Sequence, residues 1–188
     1  MMSQSRPGLF LDRDGVMVED VEYLHRIEDS RFMPGLFEVT AAFAAAGYAV
    51  VEATNQSGIG RGLYSEATFA RLSDWMRAEI GKNGGTIDAV YYAPIHPTEA
   101  KGRFLRQSDW RKPGPGMFHQ AARDLGIDLA RSVSIGNERR DIDGSRNAGI
   151  PNLFLLDPKA AAVATRGDCR VVPKLLDVRD IILGGENT

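Results

Sequence analysis

Two carboxylates stand two residues apart in Asp12-Arg13-Asp14-Gly15, directly behind the apolar run Leu9-Phe10-Leu11. Side chains at i and i+2 of an extended chain project to one face, so a strand ending here presents Asp12 and Asp14 together and turns Arg13 elsewhere. Such a pair suits phosphoryl chemistry. One carboxylate can attack phosphorus and carry an acyl phosphate, while its neighbour protonates the departing alcohol and afterwards activates water. Gly15 permits a backbone turn that other residues resist. A solvated turn after a strand uses the same residue types, so the motif by itself leaves both readings open.

Three further polar clusters follow in order. Ala49-Val50-Val51-Glu52-Ala53 reads as a second core strand and runs into Thr54-Asn55-Gln56-Ser57-Gly58-Ile59-Gly60-Arg61-Gly62. Arg111-Lys112-Pro113-Gly114-Pro115-Gly116 leads into a helix, and the short strand Val133-Ser134-Ile135-Gly136 is followed by Asn137-Glu138-Arg139-Arg140-Asp141. In open parallel sheets the ligand crevice lies outside the carboxyl ends of the strands. Four clusters at strand ends or helix starts can therefore meet in one place.

The elements that must position them alternate between strand-like apolar runs and helical patterns. This predicts an α/β fold, a Rossmann-like parallel sheet with helices on both faces. A helix opens at Pro34-Gly35 and runs to Ala46, where Gly47 stops it. Ser65 caps a longer helix to about Lys82, which Asn83-Gly84-Gly85 breaks. Residues 87–92 form the third strand, 117–125 a helix, 133–135 a strand, 142–148 a helix and 153–156 a strand, with a last helix at 175–183. About thirty residues separate Val18 from Tyr48, too few for a large cap domain, and the irregular segment 94–111 is the remaining roof. One domain over 1–188 with an open cleft is expected.

Composition agrees. At 188 residues and 43% hydrophobic content the chain suffices for one well-buried domain. A net charge of -2 and a pI near 5.9 give no general attraction to nucleic acid or anionic membrane. The one cysteine, Cys169, excludes an intrachain disulfide. Residues 1–7 lack the apolar region of a signal peptide, and no apolar stretch approaches the roughly 20 residues of a membrane span. A cytoplasmic protein with no membrane partner is the expectation.

Phe10-Leu11-Asp12-Arg13-Asp14-Gly15-Val16, the Thr54 to Gly62 stretch, and Arg111-Lys112-Pro113 with Pro115-Gly116-Met117 carry a resemblance. Over residues 9–156 the chain is similar to the haloacid dehalogenase superfamily of phosphohydrolases, in the branch holding heptose bisphosphate and histidinol phosphatases. The resemblance implies a magnesium-dependent phosphatase with Asp12 as nucleophile and Asp14 as general acid/base. It implies a metal site from Asp12, the Asp14 backbone carbonyl, Asn137 and Asp141. Thr54 offers phosphate oxygens its hydroxyl and the amides that follow, and Lys112 neutralises charge on the transferring group. Arg13, Asp20, Tyr23, Asn55, Gln56, Ser57 and Arg111 are implied substrate contacts. Arg61 reads equally well as a functional group or as a helix cap facing water.

Two departures from the family pattern bring their own expectations. The fourth motif normally begins Gly-Asp, but here Gly136 precedes Asn137, and Glu138 stands where the sugar phosphatases show lysine. Magnesium takes hard oxygen ligands, usually one or two carboxylates with phosphate and water. Asparagine keeps an oxygen donor and loses a charge, so weaker metal binding is expected, with Asp141 better placed than Glu138 to restore it. Many heptose-branch members also hold zinc on three cysteines and a histidine. Here Ala93, Ile95, Ser108 and Trp110 occupy the matching positions and cannot build a tetrahedral site, so no zinc is expected. His96 then reads as a lone loop histidine, and Trp110 and Ile95 are expected to pack together in the metal's stead.

The expected activity is phosphate removal from a small phosphosugar such as D-glycero-D-manno-heptose 1,7-bisphosphate. Histidinol phosphate and a nucleic-acid 3′-phosphate are alternative substrates. The acidic pI and the absence of an arginine-lysine stripe disfavour nucleic acid. A non-catalytic phosphosugar-binding protein of the same fold is the alternative of another class. The oligomeric state is left open.

Overall fold

The computed structural model describes residues 5–184. Its frame is one sheet of the strands β1 (Arg6–Leu11), β2 (Ala49–Asn55), β3 (Ala89–Ala93), β4 (Ile127–Gly136), β5 (Asn152–Leu156), β6 (Ala164–Arg166) and β7 (Cys169–Val172). Their order is β3-β2-β1-β4-β5-β7-β6. The helices are α1 (Leu36–Ala45), α2 (Ser57–Arg61), α3 (Glu66–Lys82), α4 (Gly116–Leu125), α5 (Arg139–Asn147) and α6 (Leu175–Leu183).

β1 lies inside the sheet, between β2 and β4, and its apolar residues serve both faces, as a strand covered on two sides requires. Leu9 and Leu11 enter the layer built by α1, α3 and α6, with Phe43, Met76 and Val178. Phe10 enters the other layer, with Phe118 of α4 and Ile142 of α5. Helices thus cover both faces. Leu11 stands opposite Glu52 on β2 and Ile135 on β4, both parallel neighbours. The segments leaving β1, β2 and β4 therefore emerge at one end of the sheet.

The alternation of strands and helices matches the expected α/β arrangement, with three local differences. β6 runs antiparallel to β7, because only Gly167-Asp168 links them and parallel strands need a crossover of a dozen or more residues; Gly167 supplies the required positive φ of 64°. β4 begins at Ile127, well before residue 133, because Arg6 and Pro7 pair with Ile127 and Asp128 ahead of a bulge. The glycine-rich stretch after β2 carries α2, a helix too short for periodicity to mark. A Cβ at Gly58 would lie 2.3 Å from the Tyr64 ring and one at Gly60 2.2 Å from the Pro94 carbonyl, so these glycines allow close packing.

Between β1 and α1, and between β3 and α4, the regular structure is limited to the 3-10 turns Ile27–Asp29 and Gly102–Phe104. Loops alone roof the cleft. Among the described residues no helix is long and apolar enough to cross a membrane.

Candidate active site

The sheet carries Asp12 to its rim: beyond the end of β1, Asp12 N still donates to Ile135 O at 3.1 Å. Lys112 reaches the same point from the loop before α4. Its Nζ lies 2.8 Å from Asp12 Oδ1, 2.7 Å from Asp141 Oδ1 and 2.8 Å from the Ala53 carbonyl. A buried ammonium persists when its charge is paired and its three donors are met, and all three are met here. Burial works to lower the Lys112 pKa, but Asp12 and Asp141 outweigh it and hold the ammonium above the usual lysine range. Asp12 feels the converse. Burial pushes its carboxyl up, Lys112 offsets only part, and Asp141 and Asp14 add to the rise, leaving it at about 7.

Asp14 is held by its own neighbour. Arg13 Nε and Nη2 donate to Asp14 Oδ1 and Oδ2 at 3.0 and 3.1 Å, and Nη2 also reaches Leu24 O at 3.0 Å. A guanidinium fork fits a carboxylate in this bidentate way. Arg13 therefore does not turn elsewhere. The strand ends at Leu11, and the amides of Val16, Met17 and Val18 all return to the Arg13 carbonyl, a turn in which strand alternation no longer applies. Arg13 is fully buried, with Cζ 5.6 Å from the centroid of the Phe69 ring. Its expected place among substrate contacts is corrected: it lies behind Asp14 and supports it.

Gln56 is a second inner support. Its Nε2 donates to Asp14 Oδ2 at 3.0 Å and to Thr54 Oγ1 at 2.9 Å, and its Oε1 accepts from Tyr64 OH at 2.6 Å. With both ends of its amide committed to Asp14, Thr54 and Tyr64, Gln56 has an inner supporting place, and direct substrate contact is corrected for it too. Asn55 is engaged with the Lys112 backbone through both ends of its amide. Thr54 is buried at the end of β2, where its hydroxyl retains a donor, and Ser57 begins α2 half-buried.

The remaining expected substrate contacts are exposed or half-buried. Asp20 is exposed, and Tyr23 is half-buried in a left-handed conformation with φ 54°, rare for a bulky residue. Arg61 lies over the Tyr23 ring, 5.5 Å from its centroid, and pairs with Glu99. Arg111 Nη1 donates to Ile95 O at 3.2 Å. Burial and the nearby Arg140 and Arg61 lower the Arg111 pKa, as expected of cations gathered at one opening.

The donor set suits a divalent cation. The ammonium of Lys112 is shared by two carboxylates, which leaves an excess of negative charge and a partly protonated Asp12. Asn137 sits directly over the turn: a Cβ at Gly15 would meet its Nδ2 at 2.1 Å. Asp12, Asn137 and the Asp14 carbonyl thus offer hard oxygens with one carboxylate among them, a set magnesium accepts when it keeps waters and substrate phosphate. Asp141 fits less well. Its Oδ1 holds Lys112, and its Oδ2 accepts from Glu138 N at 3.0 Å in the capping box of α5, so its expected metal role gives way to anchoring.

The loop 94–111 is stiffened by aromatic and polar contacts. Trp110 Nε1 donates to the Tyr92 carbonyl at 2.8 Å, and its ring meets Tyr91 edge-on with centroids 6.4 Å apart. Ile95 is buried, and with Trp110 and Phe104 it lines a cavity of about 570 Å³ beside β3. His96 turns Nδ1 back to the amides of Thr98 and Glu99 at 3.3 and 3.1 Å, a local loop role.

Residue type and spacing do not single out Tyr64, the Ala53 carbonyl or Glu52. The last had a signal: a lone carboxylate inside an apolar strand run.

Known proteins match this arrangement. A family model described as HAD-hydrolase-like matches residues 109–177. D-glycero-alpha-D-manno-heptose-1,7-bisphosphate 7-phosphatase of Burkholderia mallei is 43% identical over 178 residues, 94% of each chain. D-glycero-beta-D-manno-heptose-1,7-bisphosphate 7-phosphatase of Vibrio cholerae is 38% identical, covering 94% of this chain and 95% of its own. Among solved structures, D,D-heptose 1,7-bisphosphate phosphatase from B. bronchiseptica complexed with magnesium and phosphate is 29% identical. It superposes with a TM-score of 0.79 over 95% of this chain and 99% of that one. With its carboxylates, lysine and sheet arranged in this way and its relatives matching over 94% of its length, the chain belongs to the haloacid dehalogenase-like phosphatases.

Proposed function

We propose that the protein hydrolyses a phosphomonoester of D-glycero-D-manno-heptose 1,7-bisphosphate through an aspartyl phosphate on Asp12. The carrying observation is the junction at the sheet rim, where Lys112 Nζ lies within 2.8 Å of both Asp12 and Asp141. The names of the relatives at 43% and 38% identity support the heptose substrate.

Asp12 Oδ attacks phosphorus, the bond from phosphorus to the sugar oxygen breaks, and the departing alkoxide takes a proton from the Asp14 carboxyl. Asp14, now ionised, accepts a proton from water as that water attacks the phosphoryl group, releasing phosphate and restoring Asp12. Lys112 neutralises charge on the transferring oxygens and keeps Asp12 aimed. The Thr54 hydroxyl, with the amides that follow, holds phosphate oxygens. At the mouth, Asp20, Tyr23, Ser57 and Arg111 face the sugar and its second phosphate. Asp12, Asn137 and the Asp14 carbonyl would hold magnesium, which when bound screens phosphate charge and favours ionised Asp12.

The test is turnover by the purified protein with magnesium across sugar phosphates, including heptose 1,7-bisphosphate of both anomers and histidinol phosphate. Heptose bisphosphate is expected to be the best substrate, and Asp12→Asn to lose at least about a thousandfold in kcat. No turnover of any ester, or full activity in Asp12→Asn, ends this reading. Asn137 favours one second reading, phosphosugar binding without turnover. Beryllofluoride modification of Asp12 in a protein that hydrolyses nothing would select it.

A further inference from the structure

We propose that Glu52 is a positioning residue for Asp14, acting through Arg13; the inference rests on the phosphatase reading above. Glu52 stands in the middle of β2, an inner strand, 1% exposed, between Leu11 of β1 and Val90 of β3. Val50, two residues earlier on the same face, packs in the layer of Leu9, Leu11 and Met76. An apolar side chain would serve that packing without the cost of desolvating a carboxyl. Packing alone gives no reason for a glutamate here.

Arg13 gives the reason. Burial pushes the Glu52 carboxyl up, and Arg13 is the charge that opposes this most. Burial likewise works against the Arg13 cation, and Glu52 ranks directly after Asp14 among the charges that sustain it. Arg13 commits Nε and Nη2 to Asp14 and Leu24, while its Nη1 is buried without a hydrogen bond, as is Glu52 Oε1. Glu52 stands opposite Leu11, two residues before Arg13, so the guanidinium contacts one carboxylate, Asp14, and is balanced at longer range by a second that it does not touch. Without Glu52 its whole charge falls on Asp14. That carboxyl is then drawn tighter into the fork and turned from the leaving oxygen.

The experiment compares wild type with Glu52→Val and the isosteric Glu52→Gln, in magnesium at pH 8, on a heptose bisphosphate and on p-nitrophenyl phosphate, alongside Tm. A sugar alkoxide needs the proton that Asp14 delivers, and p-nitrophenolate leaves without it. We expect kcat on the sugar phosphate to fall about tenfold in both variants, a fraction of the hundredfold or more that a placed general acid supplies. KM should stay within about twofold, and in single-turnover phosphorylation of Asp12, before Asp14 is needed to activate water, the loss on p-nitrophenyl phosphate should not exceed about twofold. Glu52→Asp, which keeps the charge, should recover part of the rate. The Tm of Glu52→Val should be unchanged or higher, since a well-packed apolar residue often replaces a buried ionic group at no loss of stability. Full sugar-phosphate activity in both variants, equal single-turnover losses on the two substrates, or losses that track a lower Tm would overturn the assignment. Wild-type inactivity on both substrates would instead overturn the phosphatase reading itself.

Discussion

Asn55 and Lys112 exchange two hydrogen bonds: Asn55 Oδ1 accepts from Lys112 N at 3.0 Å, and Asn55 Nδ2 donates to Lys112 O at 3.1 Å. The amide of one side chain thereby fastens the loop before α4 to the tip of β2 and decides how far the ammonium extends. Displacing a catalytic group by about 1 Å can cost about a hundredfold in rate. Asn55→Ala is expected to lower kcat between about tenfold and a hundredfold. Asn55→Asp, which keeps the acceptor and loses the donor, should fall in between. Steady-state kinetics check this, and a kcat within about twofold of wild type in Asn55→Ala would refute it.

Without metal, burial holds both Asp12 and Glu52 at about 7, up from 3.8 and 4.5. A carboxyl raised on folding keeps its proton in the native state after the unfolded chain has released it. Its contribution to stability is therefore full below pH 4, declines as pH rises toward 7, and is gone above. Glu52→Gln removes one of the two titrations. The loss of stability between pH 5 and pH 8 should shrink by on the order of 2 kcal/mol. Denaturant melts in chelator at pH 5, 6, 7 and 8 measure it; parallel pH curves for the two proteins would contradict it.

Asn137→Asp adds a carboxylate to a set of oxygens that now has one. Magnesium is expected to bind about tenfold more tightly, the effect of one added charge a few ångströms from the ion in a partly solvated site. The same change should lower the Tm of the metal-free protein, because it crowds a further anion against Asp12. Calorimetric magnesium titration and melts with and without chelator test both halves. Equal affinities would remove Asn137 from the metal site.

Trp110→Ala removes the bond to the Tyr92 carbonyl and the contact with Tyr91. A cost of about 2 kcal/mol is expected for a half-buried ring of this kind. Amide exchange should quicken in residues 94–111 while β1 and β4 keep their protection. A uniform increase across the sheet would show that the ring supports the whole fold and not the loop.

Much of the fold was legible because β1, β2 and β4 are short apolar runs followed by polar clusters, and burial on two faces demands that pattern. The convergence of Asp12, Asp14, Thr54, Lys112 and Asn137 followed from their places beyond strand ends and, for Lys112, before a helix start. What escaped was direction. Arg13 follows Asp12 in the chain, yet the turn at Gly15 folds its side chain onto Asp14. Asn55 and Gln56 lie in the right motif but face inward, because their partners, Lys112 and Tyr64, arrive from other segments. α2 escaped because one turn and a half of helix has no period to read.

Lys112 and Asp12 are 100 residues apart in the chain, and the ammonium also needs the Ala53 carbonyl from β2 and Asp141 from the start of α5. Four separate stretches must dock before the nucleophile acquires its cation. A nascent chain emerging from the ribosome therefore carries an idle aspartate until its last contributor is in place. Reactivity toward phosphate esters is in this sense a late signal of completed assembly.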